Sequence, residues 1–154
     1  MEWLWANAEK IGTLVMALAA VAALIYAHLQ ITGAKAAERR ANAYELWRET
    51  LRLAFDNPTF SDPRLNLAAF DYDAMTINDS PELFQKYEMF VDTILNASEE
   101  ILGVMPTKEW DAAVRMQLES HRAYLLSPHF QTSGYLAQYT PRFRTFMEGA
   151  LRDA

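Results

Sequence analysis

The sequence predicts an all-α protein in which a single N-terminal transmembrane helix continues into a cytoplasmic antiparallel helical bundle. Three observations carry that expectation. Residues 11–34 form a run of 24 without a formal charge, bounded by Lys10 and Lys35. All six prolines fall at or after position 58, so no strong helix breaker precedes them. The remainder repeats its apolar residues every three to four positions, with no segment alternating at period two and no internal repeat.

Composition bounds the rest. Of 154 residues, 51% are apolar, 12% aromatic and 22% charged, which is a folding composition rather than a disordered one. A formal net charge of −6 offers no general basic face to phosphates, so nucleic acid is not an expected partner. The absence of cysteine removes disulfides, thiolate metal sites and cysteine nucleophiles together.

The expected layout is a tail over 1–10, a span over 11–34, a membrane-emerging helix over 35–57 and a helical domain over 58–154 packed with that helix. As a helix, the 24-residue run rises roughly 36 Å at ~1.5 Å per residue, more than a hydrocarbon core of about 30 Å. Trp3 and Trp5 stand where an aromatic belt belongs. A cleavable signal peptide is the competing reading, with small-x-small sites at Ala17-Leu18-Ala19 and Ala20-Val21-Ala22. The acidic Glu2 and Glu9 in the leading segment, and the length of the apolar run, favour an uncleaved anchor.

Lys10 alone precedes the span, whereas Lys35, Arg39 and Arg40 follow it, with Arg48 and Arg52 beyond. That bias places the N-terminus outside and the C-terminal domain in the cytoplasm, at an inner membrane. The layout resembles that of small bacterial single-pass proteins, and no motif points to a family. Ala19, Ala23 and Ala27 form a small-residue stripe, and Gly12 lies on another with Ala8 and Ala20. In lipid, close packing drives helix association, so the expected partners are the bilayer and a membrane helix of another protein or a second copy.

Past the span, Gly33 is the expected bend, and Tyr44, Trp47, Leu51, Ala54 and Phe55 are expected on one aromatic face. A coiled-coil register built on that face puts Arg40 in its core and fails after two to three repeats. Asn57-Pro58 to Asp62-Pro63 reads as a breaker-rich connection, and Arg64–Ala74 as a stretch with a short helix. Ser80-Pro81-Glu82 then supplies a cap, a first-turn proline and a first-turn carboxylate. The helix it opens carries Leu83, Phe84, Tyr87, Phe90, Val91, Ile94 and Leu95, and Gly103 and Pro106 close it. Thr107 caps a second helix through Trp110, Val114, Leu118, His121 and Leu125, ended by Ser127-Pro128. Residues 128–139 read as irregular, and Thr140-Pro141 opens a last helix with Phe143, Phe146, Met147 and Leu151 on one side.

Charge is uneven along the chain. Residues 56–100 hold ten acids against Arg64 and Lys86, a net of −8, whereas residues 115–152 hold five arginines against Glu119 and Glu148, a net of +3. Attraction between these halves, or presentation of two charged faces to a partner, is the expected use.

Motifs that carry chemistry are sparse. Asp71, Asp73, Asp79 and Glu82 match carboxylate positions 1, 3, 9 and 12 of a calcium loop, but Met75 and Thr76 replace an oxygen ligand and the turning glycine. A solvated acidic turn is the expected outcome. His121 and His129 fit no zinc spacing. His28, with Tyr26 and Gln30 as support, is a remote candidate tetrapyrrole ligand and more simply marks the headgroup boundary. No phosphate-binding loop, nucleophile elbow or kinase signature occurs. No catalytic residue, metal or cofactor is therefore expected. If a pocket or partner face exists between the helices, Tyr87, Trp110, His121 and Tyr124 are where it is expected. The leading expectation is a membrane-anchored, non-catalytic interaction protein such as an accessory or scaffolding subunit. A single-pass sensor with a ligand pocket is the alternative, and an enzyme of unknown reaction the third.

Overall fold

The computed structural model describes residues 2–152, with the side chains of 2–6, 8 and 9 excepted. Trp3, Trp5 and Ala8, and so the belt and part of one small-residue stripe, lie outside the described side chains. The protein is overwhelmingly helical, as its periodicity predicts. It divides into two compact units, Met1–Arg40 and Ala41–Ala154.

The first unit is helical from Glu2 and belongs to α1 (Glu2–Asp56). The helical run passes through Gly33 without interruption, so the helix does not end at that position. A glycine lowers helix propensity by only about 1 kcal/mol, and none of the prolines that force a kink is present. Among the described residues, the helix over Lys10–Asp56 alone is long and apolar enough to cross a membrane: its most apolar window has a mean hydropathy of 2.1, and none of that window is buried.

The second unit contains the remainder of α1 and all later elements. Here the single aromatic face expected on α1 splits in two. Ala43, Leu46, Trp47, Thr50, Leu53 and Ala54 turn inward, while Tyr44, Leu51 and Phe55 remain exposed. Three-to-four spacing is shared by both sets, so periodicity alone could not separate them.

α2 (Pro58–Ser61) falls within the breaker-rich connection, and a 3-10 segment over Pro63–Ala69, kinked at Asn66, stands in the stretch expected to hold a short helix. A two-residue hairpin follows that the sequence reading lacks. β1 (Phe70–Asp71) pairs antiparallel with β2 (Thr76–Ile77), with Phe70 opposite Ile77 and Asp71 opposite Thr76. Strands this short leave no alternating pattern to read. They nevertheless fix Phe70 and Ile77 in the core.

Ser80 Oγ accepts from the Leu83 N–H at 3.2 Å and opens α3 (Pro81–Val104). Thr107 caps α4 (Lys108–Ser120) through the Trp110 N–H. The second helix is interrupted at His121, after which α5 (Arg122–Leu125) completes the apolar stripe. Residues 128–139 are more ordered than expected: Ser127 caps α6 (Pro128–Thr132), and a 3-10 turn covers Tyr135–Gln138. α7 (Pro141–Arg152) starts at Thr140-Pro141 as predicted.

Packing yields two cores. The larger gathers Phe60, Phe70, Ile77 and the inward face of α3 with Val114, Leu118, Tyr124, Phe143 and Met147. The smaller joins Ala43, Ile101 and Trp110. α3 and α4 pack on each other, and α7 on α4.

Candidate functional site

Three of the four residues expected to form a pocket or partner face meet in the larger core. α3 supplies Tyr87, the break after α4 supplies His121, and α5 supplies Tyr124. Tyr87 Oη lies 3.1 Å from His121 Nδ1, and the Tyr87 and Tyr124 rings meet edge to face with centroids 5.3 Å apart. Trp110 lies elsewhere, in the smaller core, where Tyr44 and Trp47 each approach its ring at 5.4 Å.

The interruption at His121 has a local cause and a chemical result. Leaving the α4 stripe with φ −106° and ψ 12°, His121 is only 1% exposed. Burial depresses its pKa to about 4, with Asp62 acting in the opposite direction and Arg64 assisting. The ring is therefore neutral near pH 7. With the Tyr87 hydroxyl as donor, Nδ1 accepts and Nε2 carries the proton, and that buried nitrogen has no hydrogen-bond partner. Burial also pushes the Tyr87 hydroxyl well above the usual tyrosine range. A neutral phenol and a neutral imidazole, both enclosed by rings, orient and cement α3 against α4. In this packing neither presents a proton to bulk solvent.

Around this pair, carboxylates collect donors from the far half of the chain. Glu88 Oε1 accepts from Tyr124 Oη at 3.1 Å and lies 2.6 Å from His129 Nε2. Tyr139 Oη donates to Asp92 at 2.8 Å, and the Thr140 N–H donates to Glu99 at 2.7 Å, satisfying a free amide at the start of α7. Three arginines pair with carboxylates near them in sequence, Arg64 with Asp62, Arg115 with Asp111 and Arg122 with Glu119, and Arg64 also donates to Ser120 Oγ at 3.3 Å. The acidic and basic halves are thus stitched by tyrosine hydroxyls, an imidazole, an amide and the Arg64–Ser120 bond, which a count of formal charges does not see.

A wide opening lies away from the Tyr87–His121 pair. A cleft of about 850 Å³ runs between the end of α3, the start of α4 and the start of α7. Leu102, Phe143 and Phe146 give it an apolar lining, with Glu99, Lys108 and Arg142 among the charged groups around it. No residue of the four expected to form a pocket lines it. The sequence signals its position only indirectly, as the place where Gly103–Thr107 must reverse the chain.

At the acidic turn, Asp71 Oδ1 accepts from the N–H groups of Asp73 and Ala74, so the carboxylate closes its own hairpin. Among the described residues no group of three or more His, Asp or Glu side chains converges as a metal-ligand set. In the first unit, Gly12, Ala19, Ala23, Ala27 and His28 are all exposed. Gln30 donates to Tyr26 Oη at 2.7 Å, and Thr32 donates to the His28 carbonyl, so neither expected helper is directed to the His28 ring.

Comparison with protein-family models, with curated proteins and with solved structures finds no match to this chain.

Proposed function

We propose that this chain is a membrane-anchored, non-catalytic interaction protein, an accessory or scaffolding subunit of a membrane-associated complex. One observation carries the reading: a long helix of high hydropathy has nothing of its own chain covering its most apolar window. Such a surface is costly in water and favourable in lipid. The basic residues Lys35, Arg39 and Arg40 after the span favour an N-out, C-in arrangement, with the bundle at the cytoplasmic face. Tethering then acts by positioning, raising the effective concentration of the folded unit for targets at the same surface.

Fractionation tests the anchor. Full-length protein of unprocessed mass is expected to float with membranes and to resist alkaline extraction; recovery in the supernatant without detergent overturns the proposal. Protease digestion of sealed vesicles of both orientations reads the topology. The stripe at Ala19, Ala23 and Ala27 is expected to take part in association, so Ala23→Leu should shift the species seen on native gels after mild extraction.

A second reading is favoured by the cleft beside Phe143 and Phe146: a sensor whose ligand occupies that opening. Native mass spectrometry separates the two, since a retained small molecule supports the sensor and a retained polypeptide the subunit.

A further inference from the structure

α5, α6, the 3-10 turn and α7 border a small cavity of about 150 Å³, whose apolar wall is Leu125, Phe130, Leu136, Met147 and Leu151. Well-packed interiors hold few voids larger than a water molecule, and an apolar space of this size accepts a benzene ring. One charged side chain interrupts the wall. Arg144 on α7 lines the cavity and is only part-exposed, and its Nε is shielded from solvent with no hydrogen-bond partner among the described residues. By contrast Arg64, Arg115 and Arg122 each have a carboxylate beside them. A buried donor left unmade is costly, so a side chain in this state calls for an acceptor. Water is a poor one here, because a buried water makes about three hydrogen bonds and most of this wall is hydrocarbon. The Gln131 amide at the edge already donates to the Leu125 carbonyl at 2.7 Å.

We infer that this cavity binds a small monocarboxylate with a compact apolar body, of the size of benzoate or a branched short-chain acid. The body packs on the apolar wall, and the carboxylate accepts from Arg144, whose Nε and adjacent Nη form a fork that matches two carboxylate oxygens. Glu148, one turn along α7, also lines the cavity and is exposed. Its charge stays in water and sets the class: a single negative charge is tolerated beside Arg144, whereas a dianion such as a phosphate monoester is repelled. The exposed Gln131 and Glu148 also bring the edge of the cavity to the surface, which gives the ligand a way in. The site shares no residue with the cleft at Leu102, Phe143 and Phe146, so it stands apart from the sensor reading above.

Full-length protein in lipid nanodiscs is titrated with para-fluorobenzoate and followed by fluorine NMR, with empty nanodiscs correcting for partition into lipid. Saturable binding is expected, and in protein labelled at its methionine methyls the Met147 signal should shift with the same midpoint. Arg144→Met keeps the stem and removes the donors. It should weaken binding by about tenfold, the worth of one charge-assisted hydrogen bond, and should melt no lower than the parent, because the unpaired buried donor is gone. Arg142→Met, which removes an exposed cation two residues away, should leave binding unchanged. The neutral counterpart, para-fluorobenzyl alcohol, should bind more weakly than the carboxylate and should not distinguish the parent from Arg144→Met. No saturable binding to the parent, a Met147 signal that ignores the ligand, equal affinity for Arg144→Met, or loss with Arg142→Met instead overturns the inference.

Discussion

His121 concentrates more consequence than any other side chain in the folded unit. Its imidazole titrates near 6.5 when unfolded and near 4 in the core, so between those values only the unfolded state takes up the proton. Stability is accordingly full above about pH 6.5 and is lost as pH falls toward 4, by about 3 kcal/mol at most for a shift of this size. Urea midpoints measured at pH 7 and pH 4.5 should show this decline, and His121→Gln should flatten it over that interval. An unchanged slope would separate the acid response from this ring. Tyr87→Phe should cost roughly 1–3 kcal/mol at pH 7, because it leaves the buried Nδ1 unpaired while preserving the ring packing. The sequence marked both residues as candidates through their place on helical apolar faces. It could not mark Glu88 as the carboxylate collecting Tyr124 and His129, since those donors lie 36 and 41 positions away.

Helix ends were the most legible features, because the chemistry of a cap is local. Ser80, Thr107 and Thr140 each accept from an amide three residues on, as their positions before Pro81, Lys108 and Pro141 imply. Ser80→Ala should cost about 1 kcal/mol, read as a lower thermal midpoint without a change in the folded spectrum. Gly134 is a turn requirement that the sequence showed only as a glycine. At φ 84° with nothing near its missing Cβ, Gly134→Ala meets strain and no clash, so a loss of roughly 1–2 kcal/mol is expected. The hairpin at 70–77 and the division of α1 into inward and outward faces were illegible for another reason. Both depend on contacts with Tyr87, Ile101 or Trp110, well separated along the chain, rather than on local spacing.

Both hydrophobic cores draw their residues from positions 43 and beyond, and the contact-defined boundary falls just before them. A fragment spanning residues 41–154 should therefore fold cooperatively and remain in solution, with His121 still protected from hydrogen–deuterium exchange at its amide. Aggregation or a non-cooperative melt would mean that the first 40 residues supply stability as well as location. Trp110→Ala in that fragment should cost about 3–5 kcal/mol, since it empties the centre of the smaller core. All-α class and the apolar helix were legible because each follows from pattern summed over many residues. The cleft at Leu102, Phe143 and Phe146 was not, because it is shaped by where three separate helix ends meet.

The smaller core also imposes an order on biosynthesis. Ala43 leaves the ribosome long before Ile101 and Trp110 exist to cover it, an interval on the order of several seconds at ordinary elongation rates. Through that interval the inward side of α1, with Ala43 and Trp47, has no partner within its own chain. Nascent chains on one polysome would then hold this bare face within reach of each other, and only completion of α4 covers it. Slowing translation between codons 60 and 110 should therefore increase mispaired product, whereas speeding it should favour chains that close on themselves first.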